Sequence, residues 1–402
     1  MPKDASQPQP RFILPIALIV SLFFLWGVAN NLNDVLIAHF RKAFALADWQ
    51  SGLVQSAFYL GYFLFAIPAA LVAKRFGYKG AIVFGLGLYG IGALLFYPAA
   101  EIRSYGAFLA ALFVIASGLA FLETSANPLV TVLGAPEGAE QRLNLAQAFN
   151  PLGSITGVLI GRQFILSDDD SLSVQSPYLV LGLLVLGWGA VIWLTRFPPL
   201  PDGLEEDGGA PPGSGEFRRL LGHRPFLFGV AAQFAYVGAQ VGIWSFLIRY
   251  AGQALPGTGD RTAAGYLTLS LVLFMAGRFA GAALMGRFSP AALTAWFSAL
   301  NGLLCLIGAL AGGWIGLGAI IATSFFMSIM FPTIFALSLK GLGPLAKLGS
   351  SLLVMSIIGG AILPVVMGRV SDLASIAVAM LVPGLCFAVV GAFALSHLRG
   401  GG

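Results

Sequence analysis

Residues Phe23 to Phe40 read FFLWGVANNLNDVLIAHF, an apolar helical run interrupted by three asparagines and an aspartate. An ionised Asp at the depth of lipid tails costs from roughly 2.5 kcal/mol upward, so Asp34 has to meet protein, water or a ligand rather than lipid. Trp26, Asn30, Asn33, Asp34 and Ile37 fall at i, i+4, i+7, i+8 and i+11, the spacing of one helix face. An aromatic, two amides and a carboxylate on one stripe form a candidate sugar and cation site.

The stripe sits in an integral membrane protein. With 58% hydrophobic and 10% charged residues over 402 positions, and a mean hydropathy of +0.87, the chain holds more apolar surface than one soluble core can hide. Continuous apolar runs indicate helices, because barrel strands alternate polar and apolar at every second position. The runs fall at about 12–38, 52–73, 80–98, 105–134, 142–166 and 177–197, then at 224–250, 262–286, 290–310, 313–339, 348–370 and 374–397. Twelve spans in two sets of six predict a six-helix bundle over 1–197, a linker over 198–223 and a second six-helix bundle over 224–402. The linker contains PPLPDGLEEDGGAPPGSGEFRR, too rich in Pro, Gly and acids to build a core, and is expected to be flexible.

Charge sets the expected orientation. If both termini are cytoplasmic, the far side carries 7 of the 22 Lys plus Arg, the bias of the positive-inside rule. The net charge of +5 thus follows from topology and implies no nucleic acid partner. The polar N-terminus MPKDASQPQPR lacks the form of a signal peptide, so the first helix is expected to be retained. Cys305 and Cys386 lie inside apolar runs, where neither a disulfide framework nor a metal site is expected. The sequence has no Walker A string, no metal-spaced His/Cys/acid cluster and no nucleophile elbow. An enzyme is not indicated, and energy must come from a source other than ATP hydrolysis.

The halves resemble each other. LVAKRF ending at Phe76 parallels LMGRF ending at Phe288, and SITGVLIGR ending at Arg162 parallels GAILPVVMGR ending at Arg369. Parallel repeats of six helices build transporters whose substrate site lies between the halves near the membrane midplane. Further polar groups line up inside the spans. FLETSANPLVTV puts Glu123, Asn127 and Thr131 on one face of the fourth helix, with Pro128 able to free a backbone carbonyl. The fifth helix offers Asn144, Gln147, Asn150 and Ser154, and the seventh Gln233, Tyr236, Gln240 and Trp244. Amides pair with vicinal hydroxyls and an aromatic face covers the C–H face of a pyranose. Amides also serve as glue between membrane helices, and Trp26 and Trp244 suit packing equally well. Tyr59 is a further pocket candidate. Arg278 either snorkels or pairs with a loop acid as an inner gate.

The strings FFLWGVANNLND, QSAFYLGYF, FLETSANP, RLNLAQAFN, AQFAYVGAQ, WSFLIRYA, PTIFALSLKGLG and VMSIIGG resemble, in order through both halves, the L-fucose permease family of the major facilitator superfamily. The resemblance implies an all-α monomer of twelve transmembrane helices, moving a monosaccharide (L-fucose, galactose or glucose type) with a proton into the cytoplasm, in a bacterial inner membrane. It assigns proton coupling to Asp34 and Glu123, and cavity roles to Asn30, Gln147 and Asn150. No cofactor is implied beyond the coupling ion, for which sodium is the alternative. Pro151, in FNPLGSITG, departs from the family pattern and is expected to alter the backbone near the pocket. A transporter of the same architecture with another cargo, such as a drug exporter, and a non-transporting membrane sensor remain as other classes; the amide-rich stripes and the retained carboxylates disfavour both.

Overall fold

The computed structural model describes residues 10–44, 53–133, 136–160, 174–197 and 214–399. The described residues make twelve helical passes. The first is α1 (Pro10–Ala43). A continuous helical run, Leu53–Leu94, then bends at Gly77 into α2 and α3. Gly77 takes φ 72° there, a left-handed conformation that a side chain would strain. α4 is Tyr105–Val132, α5 comes in two pieces (Ala139–Gln147 and Phe149–Ile160), and α6 is Gln175–Leu194. The second half contains α7 (Arg224–Ala254), α8 (Asp260–Leu284) and α9 (Pro290–Leu310). It continues with α10 (Gly313–Met327 and Met330–Leu339), α11 (Ala346–Met355 and Gly359–Leu373) and α12 (Leu381–Arg399).

Packing repeats with the sequence. In the first half α1 lies on α5, the α2–α3 run on α4, and α3 on α6; in the second, α7 lies on α11, α8 on α10 and α9 on α12. Each pairing recurs six helices later, as two copies of one bundle require. The α1–α5 contact is especially close. A Cβ on Gly27 would collide with the Asn150 carbonyl, and one on Gly153 with the Phe24 carbonyl, so glycine allows these two backbones to touch.

In two of the divided passes a proline follows the break. Pro151 and Pro332 lie within α5 and α10, whose two pieces separate at Ala148 and at Ser328–Ile329. Proline removes one i→i−4 bond and crowds the preceding turn. The breaks accordingly fall three or four residues upstream of each.

The expected linker includes a helix. Residues 198–213 lie outside the described set, but Ser214–Gly222 is a helix with Leu220 fully buried. The Lys74 ammonium donates to both oxygens of Glu216, at 2.8 and 3.1 Å, tying this helix to the first half. An apolar face and an ion pair hold Ser214–Gly222 against the bundle. The bundle end it covers is the linker face; the other is the distal face.

Candidate functional site

The candidate residues meet where the halves face each other. Glu123, on α4, is 1% exposed, and its Oε2 has no hydrogen-bond partner among the described residues. Tyr62 on α2 stands against both Glu123 and Trp26. Trp26 is buried and stacks on Phe23 with centroids 5.9 Å apart. Asn30, one turn further along α1, keeps an unpartnered Oδ1. The side chains of Asn33 and Asp34 lie outside the described residues, so the second carboxylate of the stripe is located only as a backbone position on α1.

From Glu123 a line of amides runs to the other half. Asn127 follows one turn later, fully buried, and its Oδ1 accepts from Gln147 Nε2 at 2.9 Å. Gln147 Oε1 in turn accepts from Arg278 of α8 at 3.3 Å. Arg278 is 4% exposed. It neither snorkels nor pairs with a loop acid: Nη1 donates to the Gln147 carbonyl and Nε to the Ser328 carbonyl, both at 2.9 Å. Its guanidinium also covers the Phe274 ring at 4.7 Å. Sequence reasoning left this role open because the acceptors are main-chain oxygens on helices remote in sequence.

Those oxygens are available for a local reason. A helical carbonyl at i−4 from proline has no N–H to bond, and Pro151 and Pro332 release Gln147 and Ser328. Pro128 likewise releases Thr124, whose carbonyl lies 2.9 Å from Ser350 Oγ of α11, a hydroxyl whose one proton is shared with the Lys347 carbonyl at 2.8 Å. Three proline-released carbonyls are thus all met by side-chain donors, and two of the three bonds cross between the halves. Asn144 Nδ2 to Thr333 Oγ1 at 3.0 Å, Gln141 Nε2 to the Ala282 carbonyl at 3.1 Å and Lys347 over the Tyr78 ring at 5.3 Å add further crossings toward the linker face.

A scan of the chain against family profiles matches the Major Facilitator Superfamily over residues 17–350. The L-fucose-proton symporter of Escherichia coli (strain K12) is 48% identical over 415 residues, covering 98% of this chain and 94% of that one. The chain belongs to the L-fucose permease family of the major facilitator superfamily. A glucose/galactose transporter of Brucella abortus is 37% identical to this family member, over 97% of this chain and 95% of its own length. The crystal structure of the transporter FucP in the outward conformation superposes with a TM-score of 0.88 at 47% identity, covering 96% and 99% of the two chains.

Within this member of the family the remaining candidates divide. Gln233 is fully buried and neither amide atom finds a partner among the described residues. The buried Tyr236 hydroxyl stands beside Gln240 and Arg278. Tyr59 stands over Gly360 of α11, spanning the seam nearer the distal face. Two candidates are occupied by the protein itself. Asn150 Nδ2 donates to the Phe23 carbonyl at 3.2 Å, a bond that clamps α5 to α1. The Trp244 indole donates to Ser324 Oγ at 3.1 Å and sits edge-on to Phe274, so only its ring remains for a ligand. Their partners were not legible in the sequence, because neither lies on the same helix.

Proposed function

We propose that this chain is a secondary active transporter that carries a monosaccharide of the L-fucose, galactose or glucose type into the cytoplasm together with a proton. The observation that carries the reading is the buried Glu123 carboxyl at the head of an amide line between two six-helix halves. A buried carboxyl beside unpartnered amides suits a group that takes up a proton and a ligand rich in hydroxyls. The near-full-length likeness to a named L-fucose-proton symporter supports the same class.

In this mechanism water on the distal side delivers a proton to Asp34 and Glu123. Sugar hydroxyls then pair with Asn30, Asn33, Asn127, Gln233 and Gln240; Gln147 and Asn150, whose NH2 groups already donate within the protein, add only an oxygen lone pair each, while Trp26, Tyr59, Tyr236 and Trp244 supply aromatic faces and edges. With sugar bound and carboxyls neutral, no bare charge has to enter a dry seam, and residues 1–197 rock against 224–402 around the 198–223 connection. Release of sugar and proton on the linker side completes the cycle. The protein works as a monomer in a bacterial inner membrane, with both termini cytoplasmic, as the distribution of Lys and Arg favours.

The test is uptake of labelled L-fucose, D-galactose, D-glucose and N-acetylglucosamine into proteoliposomes under an inward proton gradient, then under a sodium gradient. Accumulation with the proton gradient, abolished by a protonophore, is expected. Accumulation with sodium alone replaces the coupling ion. No movement of any sugar under either gradient removes the sugar assignment.

A further inference from the structure

Arg278 is a fully buried cation that makes no ion pair among the described residues, in a position where lipid depth makes charge costly. Three oxygens hold it instead: the carbonyls that Pro332 and Pro151 release at Ser328 and Gln147, and the Gln147 side-chain oxygen. A guanidinium has donors and no acceptor. The atom of the Gln147 amide that faces it must therefore be Oε1, which turns Nε2 toward Asn127. Asn127 must then present Oδ1, as it does at 2.9 Å, leaving its Nδ2 as the last donor in the line. That nitrogen is buried and has no partner within the described protein. It belongs to the residue one helical turn after Glu123.

We propose that Arg278 is a positioning residue: through Gln147 it fixes the hydrogen-bond polarity of Asn127, so that the site offers the sugar a donor for a hydroxyl oxygen at Asn127 Nδ2. The assignment rests on the sugar-transport reading above and adds a specificity element that reaches the site from the opposite half. Without a donor-only group at 278, Gln147 and Asn127 can both turn over, and the site presents donor and acceptor in an unfixed mixture. A Lys at 278 preserves the polarity. A Gln or Met does not.

The experiment uses the full chain in proteoliposomes, with initial rates of proton-driven L-[³H]fucose uptake (or D-[³H]galactose, if the unsubstituted protein accumulates only that) resolved into KM and maximum rate. Arg278→Lys is expected to keep KM within about threefold of the unsubstituted protein, whereas Arg278→Gln raises it about tenfold or more, since the loss of an oriented hydrogen bond is the difference between them. Gln147→Glu keeps an acceptor for Arg278, and strengthens that pair, but has no N–H for Asn127. The Asn127 amide then turns its NH2 toward the new carboxylate, and KM rises about tenfold in a protein that still melts at or above the unsubstituted temperature. This variant remains decisive if Arg278→Gln does not fold. KM unchanged in the variants that fold among Arg278→Gln and Gln147→Glu, whatever happens to the maximum rate, overturns the proposal. So does an Arg278→Lys protein as impaired in KM as Arg278→Gln. Failure of the unsubstituted protein to accumulate any sugar counts instead against the transport reading, so the two failures are distinct.

Discussion

Glu123 and Gln233 are both buried in the seam with unpartnered polar atoms, yet they are expected to respond differently to substitution. Glu123→Gln mimics the neutral carboxyl and cannot exchange a proton. It is expected to keep sugar exchange down a gradient while losing accumulation driven by an acidic exterior. Uphill uptake by this variant that still increases as external pH falls would remove Glu123 from the coupling role. Gln233→Leu deletes an amide with no partner among the described residues, a group whose burial costs about 1–3 kcal/mol. If Gln233 serves the sugar, the variant should melt no lower than the unsubstituted protein while sugar affinity drops about tenfold, one hydrogen bond's worth. A lower melting temperature with unchanged affinity would make it a packing residue. The amide-bearing positions could be read from helical spacing. Which of the candidate groups the protein had already used could not: the Asn150 amide and the Trp244 indole satisfy groups on other helices.

Among the helices, prolines and glycines organise the contacts. Ser350 supplies the hydroxyl for the carbonyl that Pro128 releases at Thr124. Ser350→Ala leaves that carbonyl buried and unpaired and is expected to cost about 1–3 kcal/mol, read as a lower melting temperature in detergent. Gly153→Ala drives a methyl into the α1 backbone, an overpacking expected to cost about 1–3 kcal/mol or more because backbone cannot step aside; an unchanged melting temperature would contradict the close approach of α1 and α5. The Lys74–Glu216 pair presents a milder case, since its side chains are 19% and 37% exposed. Lys74→Gln should cost less than about 1 kcal/mol. The spans and the release of a carbonyl by Pro128 follow from local pattern, whereas boundaries shift where packing extends a helix, as α1 runs on to Ala43. Helix formation over 214–222 was hidden by composition, because the acids and glycines around it outweigh a short apolar face.

Across the whole molecule, alternating access requires the halves to part on the linker face, where Asn144 and Thr333 meet at 3.0 Å. Cysteines at both positions, joined by a short bifunctional reagent, are expected to stop uptake, with activity returning when a cleavable linker is reduced. Unimpeded transport with the crosslink in place would mean that this seam does not open. The doubled arrangement of six helices was legible because hydropathy is a local property, repeated twice along the chain. The polar inventory was legible for the same reason: an acid or amide within an apolar run is conspicuous wherever it occurs. The partners of those groups were not, because they come from helices far apart in the chain; Gln147 and Arg278 are separated by 131 residues. Packing of one half against the other brings a donor-only guanidinium, already bonded to the Ser328 carbonyl within its own half, to the proline-released carbonyl of Gln147 and orients the amides behind it. Local pattern therefore specified the spans and the chemistry available, and long-range packing specified which groups pair and which remain for a ligand.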